Sequence, residues 1–251
     1  MKSISILSIP VHSVRLSEAT NQIGRFIATG NAHQVVTVNP EFIVAAGQHK
    51  EFRQVLQQAD LSVADGAGIV WAARFLGTPL PERVTGVDLT HALARLAIQK
   101  NWTFYFLGGQ PGVAELAAER LKKIYLGLRV VGAESGGIYN GQADCFDQAD
   151  EMAALIGRIK KTKPDILLVA FGAPKQDLFI ARHKAELCVP VMIGVGGTFD
   201  YFSGKVRRAP LWLQQLSLEW FWRLMVEPQR FKRIFTSVVI FPWQVVVSHF
   251  S

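Results

Sequence analysis

The sequence predicts an α/β fold, a mostly parallel sheet flanked by helices, and three observations carry that reading. Short apolar, β-rich runs recur at 34–38, 61–64, 102–107, 128–133, 166–171 and 191–195. Segments of helical spacing lie between them, as at 111–125, where Val113, Leu116, Ala117, Leu121 and Ile124 share one face, and at 143–161. Apolar strands joined by helices imply a parallel sheet buried on both faces. Finally, several runs end in glycines and polar residues, the composition expected where ligands bind at the carboxyl ends of such a sheet. The expected architecture is a Rossmann-like core at 1–195, followed by a C-terminal helical, membrane-proximal appendage at 196–251. The one compositional break lies near Gly196.

Taken in order, residues 3–14 alternate and are broken by Pro10, without the charged start and long apolar core of a signal peptide. The run at 34–38 leads into Thr37-Val38-Asn39-Pro40-Glu41. Thr37 and Asn39 either cap a helix starting at Pro40 or hydrogen-bond a sugar or uracil. The next run ends in Ala64-Asp65-Gly66. Asp65 suits a general base at the cleft, since no cation is adjacent in sequence, although a helix cap for 68–76 has the same appearance. Asp88 and Asp200 are rival bases, Asp88 reading more readily as a helix cap or a substrate hydrogen-bonding residue. Gly108-Gly109-Gln110-Pro111-Gly112 is either a tight strand-to-helix turn or a phosphate or ribose contact at a helix N-terminus. It is neither G-x-G-x-x-G nor a Walker loop. The last two strands run into Gly172-Ala173-Pro174-Lys175-Gln176 and Gly194-Val195-Gly196-Gly197. Gly196 and Gly197 either end the sheet or join the site.

Beyond Gly197 the chemistry changes. The net charge is +7, and from Lys205 to Arg233 there are seven Lys or Arg against two Glu, interleaved with Trp and Phe. The basic excess is therefore local, and cations among large aromatics suit anionic phosphates beside an apolar membrane surface. From Ile234 to Ser251 there is no Asp, Glu, Lys or Arg. That length only just reaches the ~18 residues of a spanning helix, and Pro242 interrupts it. An interfacial tail is the favoured reading, with a true span or packing on the core or a partner subunit as alternatives. Cys145 and Cys188 form neither a disulfide framework nor a zinc motif, which fits a reduced, cytoplasmic setting. No histidines stand at metal or catalytic spacing, and His33 and His183 read as surface or core residues.

Several ordered motifs carry a family resemblance. They are Thr37-Val38-Asn39-Pro40, Ala64-Asp65-Gly66-x-Gly68, Glu82-Arg83-Val84-Thr85-Gly86-x-Asp88, Phe106-Leu107-Gly108-Gly109 and Phe171-Gly172-Ala173-Pro174-Lys175-Gln176. Gly194-x-Gly196-x-x-Phe199-Asp200, Arg208-Ala209-Pro210, Leu218-Glu219-Trp220-x-x-Arg223-Leu224 and Glu227-Pro228-x-Arg230 continue the series. Together they resemble the WecG/TagA/CpsF family of glycosyltransferases, collinearly from about Ile4 to Arg233. Asp177, where the family commonly has Glu, and Ser217, where Gly is usual, depart from the pattern.

The resemblance implies an inverting enzyme that moves an N-acetylmannosamine-type sugar, or a related hexose or uronic acid, from a UDP donor to a polyprenyl-diphosphate-linked sugar. Asp65 would be the base. Thr37 and Asn39 would contact the acceptor sugar or organise the pocket, Arg83 and Gln176 would bind substrate, and Lys175 would suit a uronic acid. Arg223 and Arg230, with Arg207, Arg208 and Arg233, would hold diphosphate. Asp88, Gly108, Gly109, Gly196 and Gly197 complete the expected binding set. The chain has no Asp-x-Asp, the usual holder of a divalent ion in nucleotide-sugar transferases, so metal-independent transfer with no cofactor is expected, guanidinium forks meeting the phosphate charge. Expected partners are the UDP-sugar, the polyprenyl-linked acceptor, the inner face of the cell membrane and a second copy of the chain, but not nucleic acid. A nicotinamide-dependent oxidoreductase would share the core but lacks its fingerprint. A noncatalytic membrane- or nucleic-acid-binding protein would explain the basic, Trp-rich segment but not the polar strand rim.

Overall fold

A computed structural model describes residues 1–146, 150–216 and 218–250. The expected α/β core is present, and all six anticipated strands occur within a residue or two of their predicted bounds. The chain begins with an antiparallel hairpin, β1 (Ser3–Ile6) and β2 (Ile9–His12), formed by the alternating N-terminal run. Helix α1 (Leu16–Thr29) leads to β3 (His33–Val38), and α2 (Pro40–Gln48) and α3 (Lys50–Gln58) lead to β4 (Leu61–Ala64). Then come α4 (Ala67–Phe75), α5 (Gly86–Lys100), β5 (Thr103–Gly108), α6 (Val113–Ile124) and β6 (Arg129–Glu134). A small hairpin of β7 (Tyr139–Asn140) and β8 (Cys145–Phe146) precedes α7 (Glu151–Thr162), β9 (Ile166–Ala170), α8 (Lys175–Leu187) and β10 (Val191–Gly194).

The helix expected over 143–161 therefore starts later, at Glu151, because Cys145 and Phe146 pair back onto Asn140 and Tyr139. Residues 147–149 of that expected helix lie outside the described residues, as does Ser217.

The six core strands lie in the order β4-β3-β10-β9-β5-β6 and all run parallel. Alternation along the strands divides the core. Val35, Leu61, Phe104, Phe106, Leu168 and Ile193 face a layer containing α1, α5 and α6. On the other face, Val36 and Val38 meet α2, α3 and α4, while Leu107, Leu167 and Val169 meet α7 and α8. With every strand parallel, all carboxyl ends emerge at one rim. The chain moves outward from β3 to β4 at one edge and from β5 to β6 at the other, so its direction reverses within the sheet, which opens a crevice there.

The remaining chain crosses that rim. Helix α9 (Thr198–Phe202) sets Phe199 and Phe202 into the first layer. Short helices α10 (Leu211–Gln215) and α11 (Glu219–Val226) follow. A continuous helical run, Pro228–Phe250, includes α12 (Phe231–Phe235), a π-helical turn at Thr236–Ile240 and α13 (Phe241–Phe250). By length and composition this run is apolar enough to cross a membrane. Phe241 and Val245, however, are buried in the second layer against α2 and α4. A helix with one face committed to the protein core cannot also be surrounded by lipid.

Phe241 is fully buried, so Phe241→Ala removes the main anchor of this helix. The variant is expected to lose about 3 kcal/mol in urea unfolding with the slope unchanged, reflecting lost transfer energy and a residual cavity. A loss below about 1 kcal/mol would mean that the helix is not docked.

Candidate active site

The rim encloses an open cleft of about 1060 Å³. Its floor comes from the strand ends and its far wall from the segment after Gly196. Of the residues anticipated from sequence, Thr37, Asn39, Asp65, Arg83, Gly109, Lys175, Gln176, Gly196, Gly197, Arg208, Arg223, Arg230 and Arg233 all line it. Asp88, Gly108 and Arg207 do not.

Asp65 follows β4 directly, and its backbone N–H donates to the Val38 carbonyl at 2.8 Å. The Val84 N–H donates to the Ala64 carbonyl at 2.8 Å, drawing the loop before α5 across the strand end. Gly66 turns the chain sharply with φ of 104° and takes the N-cap position of α4, so Asp65 does not cap that helix. Instead its Oδ2 accepts a long bond, 3.4 Å, from the Gly86 N–H at the start of α5. Burial pushes the Asp65 carboxyl up to about 7; the Gly86 N–H and Arg83 oppose the shift, while Glu219 and Asp88 add to it. A carboxyl poised near neutrality in a cleft is suited to proton transfer.

Thr37 and Asn39 stand beside it with structural bonds of their own. The Thr37 hydroxyl donates to the Gly194 carbonyl at 3.0 Å, tying β3 to β10. Asn39 Oδ1 accepts from the Phe42 N–H at 3.1 Å and so caps α2, as one of its two sequence readings holds. Gln176 is fully buried, and its Oε1 accepts from the Gly196 N–H at 2.9 Å, fixing the turn after β10. Asp177 behind it is also fully buried, neither carboxyl oxygen has a partner among the described residues, and burial pushes its carboxyl to about 7. Lys175 borders the wall formed by the β7–β8 hairpin.

The glycines divide by role. Gly108 has φ of 107°, and a Cβ there would lie 2.8 Å from the Ala170 carbonyl carbon, so this glycine serves the close packing of β5 on β9. Gly197 is needed for the cleft itself, because a Cβ would lie 2.8 Å from Arg223 Nη2.

The cations are held by carboxylates that sequence reasoning did not assign. Arg208 grips Asp88 with both terminal nitrogens, at 2.6 and 3.0 Å, and its Nε donates to Glu219 at 3.1 Å. Arg83 reaches the other Glu219 oxygen at 2.8 Å. Glu227 accepts from Arg223 Nε at 3.0 Å and from Arg230 Nε at 2.9 Å, and Glu41 accepts from Arg233 at 2.6 Å. Burial alone would raise the pKa of Glu227, but the bonds from Arg223 and Arg230 outweigh it and hold the carboxyl below its ordinary range. In the same way the bonds from Arg208 and Thr85 outweigh burial at Asp88 and keep it ionised. Arg223 also lies 5.0 Å above the Tyr201 ring, and its buried Nη2 has no hydrogen-bond partner among the described residues. Glu227 lies four residues after Arg223 and three before Arg230, a spacing that could have paired them, whereas nothing in sequence joins Glu219 to Arg83 or Glu41 to Arg233. Arg207 is exposed and offers its carbonyl to Trp222 Nε1 at 3.1 Å.

A carboxyl near neutrality and several arginine side chains thus share one cleft at the rim of a parallel sheet, an arrangement suited to proton transfer beside an anionic group. The chain belongs to the WecG/TagA/CpsF family of glycosyl transferases, which it matches over residues 4–251, and it is therefore a glycosyltransferase. It is 35% identical over 200 residues to the N-acetylglucosaminyldiphosphoundecaprenol N-acetyl-beta-D-mannosaminyltransferase of Bacillus spizizenii strain W23, covering 80% of this chain and 74% of that one. It is 30% identical over 244 residues to the protein of the same name from Staphylococcus aureus strain NCTC 8325, covering 96% and 91% respectively.

The raised pKa of Asp65 fixes a pH dependence of stability. The folded protein binds this proton more tightly than the unfolded chain, so stability falls as pH rises from about 4 to about 7. Asp65→Asn is expected to be more stable than the native sequence by roughly 4 kcal/mol at pH 8, the difference vanishing near pH 4. Equal stabilities at pH 8 would show that the carboxylate is solvated in the fold.

Proposed function

We propose that the protein transfers an N-acetylmannosamine-type sugar, or a related hexose or uronic acid, from a UDP donor to a polyprenyl-diphosphate-linked sugar, with inversion and without a divalent metal. The carrying observation is Asp65, a carboxyl raised to about 7 in a cleft that Arg208, Arg223, Arg230 and Arg233 also line. The names of the relatives from Bacillus spizizenii and Staphylococcus aureus support the acceptor class and the sugar.

On this reading the reaction is one in-line displacement. An acceptor hydroxyl attacks the anomeric carbon while Asp65 takes its proton, and the bond from that carbon to the UDP oxygen breaks. Negative charge grows on the departing diphosphate and must meet preorganised positive charge. Arg223 suits that role best, because its Nη2 is buried without a hydrogen-bond partner beside Gly197. Arg230, Arg208 and Arg233 reinforce it, and Arg207 would join only by reorienting. Arg83 and Gln176 bind substrate, Gln176 by shaping the Gly196–Gly197 turn. Thr37 and Asn39 organise the acceptor side, and Asp88 holds Arg208. Gly109 gives the donor close approach to the backbone, Gly108 supports that turn from below, and Lys175 favours an acidic sugar.

The division into a core at 1–195 and an appendage at 196–251 belongs to the same reading, the second part closing the cleft and meeting the bilayer. Phe231, Phe235, Val239 and Trp243 recur every four residues and are exposed, Trp243 at 69%. Such a stripe beside Lys232 and Arg233 suits the inner surface of an anionic membrane. In water the same stripe is open to a second copy of the chain. A noncatalytic membrane- or nucleic-acid-binding protein would have no use for the buried carboxyl.

Release of UDP from a panel of UDP-sugars, with a polyprenyl-diphosphate-N-acetylglucosamine analogue, tests the reaction. Release is expected to require the acceptor, to survive EDTA, and to fall at least about 100-fold in kcat for Asp65→Asn and for Arg223→Ala. In the native protein kcat/KM is expected to rise with pH through about 7, as Asp65 loses its proton. Loss of activity in EDTA with recovery on adding magnesium or manganese would sink the metal-free mechanism. Trp243→Asp is expected to weaken co-sedimentation with anionic liposomes several-fold; unchanged binding would place the membrane contact elsewhere.

A further inference from the structure

The cleft has an end that the transfer chemistry does not use. Arg230, Ile234, Val238 and Pro242 follow one another at four-residue intervals along the helical run Pro228–Phe250, and all four line the cleft. One stripe of this helix thus passes from cation to hydrocarbon. It is separate from the exposed stripe of Phe231, Phe235, Val239 and Trp243, whose residues do not line the cleft.

The facing wall is α4. Trp71 lines the same space, is 41% exposed and stacks on Phe75 with ring centroids 5.5 Å apart. One turn earlier, Gly68 brings α4 so close to its neighbours that a Cβ there would lie 2.7 Å from Pro40 Cγ and 3.6 Å from Phe241 Cε1. Because α4 and α13 are in contact, the two apolar walls are held as a pair. The ion pair of Arg233 with Glu41 stands at this side of the cleft, and Arg233 lies next to Ile234 in sequence. Three aliphatic side chains offer no hydrogen bond to a sugar hydroxyl or a uracil edge, and with the indole face of Trp71 they match a hydrocarbon leaving an anionic head group.

We infer that Trp71, Ile234, Val238 and Pro242 form a subsite for the carbon chain of a polyprenyl diphosphate, taking the isoprene units nearest the phosphates. The occupant follows from covalent continuity. The acceptor proposed above carries its hydrocarbon chain on a diphosphate and must lead that chain out of the cleft, and Ile234, Val238 and Pro242 with Trp71 give the cleft an apolar stretch along which it can leave. This inference rests on the acceptor class proposed above. It separates two contacts with lipid: the outer stripe meets the bilayer, and the inner stripe receives the substrate's own tail.

The test uses the full chain in detergent-free buffer without vesicles. Two soluble acceptors carry the same sugar and diphosphate on either a methyl or a ten-carbon geranyl tail. The native protein is expected to show a KM about tenfold lower for the geranyl acceptor, from burial of part of that tail. In Val238→Ser and in Trp71→Ala the ratio of the two KM values is expected to fall towards one. Equal KM values in the native protein would overturn the subsite, as would a ratio that both variants leave intact. A preference abolished by Trp243→Asp but kept in Val238→Ser would move the chain to the outer stripe and equally overturn it. Absence of transfer to either acceptor would defeat the proposed reaction rather than the subsite. Calorimetric titration of the two acceptors then decides: tighter geranyl binding that Val238→Ser loses sustains the subsite, and equal binding rejects it.

Discussion

The arrangement of the cleft depends on one chain of ion pairs, Asp88–Arg208–Glu219–Arg83. Asp88 and Arg83 belong to the core around the start of α5, whereas Arg208 and Glu219 come from the segment that crosses the rim. None of these groups is fully exposed, so their pairing carries a desolvation cost that only good geometry offsets. The two-pronged grip of Arg208 on Asp88 supplies that geometry. Pairs of this kind contribute specificity of position more reliably than net stability, and here the position fixed is that of the far wall relative to Asp65. Glu219 also acts on Asp65 directly, since its charge is among those that raise the carboxyl.

A second consequence follows for the arginines as a set. Arg83, Arg208, Arg223, Arg230 and Arg233 each have a carboxylate partner within the protein. Such pairing keeps like charges from repelling one another across the cleft and holds the guanidinium planes in place. It also leaves donors over. Glu227 takes only the Nε groups of Arg223 and Arg230, so the ends of those forks remain for a ligand. A site built this way needs little reorganisation when an anion arrives, the condition under which electrostatic stabilisation of a transition state is most effective.

Much of this was legible in the chain. The six sheet strands were, because each is a short β-rich run between helical periods, and those buried on both faces are mostly apolar. The rim residues followed from them, as Asn39, Asp65 and Gly196 stand within two residues of strand ends, Thr37 lies next to the end of β3 and Gln176 opens α8 after β9. The hairpin at β7–β8 was not, since two-residue strands leave no periodic trace, and Ala143 to Phe146 continue a helix-like pattern until tertiary pairing overrides it. The long-range carboxylate partners were equally hidden, unlike Glu227, which lies within helical reach of Arg223 and Arg230. Glu219 lies 136 positions from Arg83, and Glu41 lies 192 from Arg233, so only the fold brings them together. The tail was legible in composition alone. Its apolar character showed that it seeks a nonaqueous surface, but its division into a core face at Phe241 and Val245, a cleft face and an exposed face emerges only once the helix is docked.

The electrostatics of the cleft bind the base and the leaving group into one problem. Asp65 is raised to about 7 by burial, and an incoming diphosphate adds negative charge that would raise it further. A base that must accept a proton has to be ionised in the complex, so cations must offset the substrate's charge before the reaction begins. The arginines that line the cleft therefore have two effects on the proposed reaction. They hold Asp65 in its ionised form as the anionic donor enters, and they receive the charge that leaves with UDP. An uncharged wall would fail at the first of these even if the leaving group could depart unaided. This requirement gives a physical reason for a strongly basic segment to lie against a core that needs none of that charge to fold.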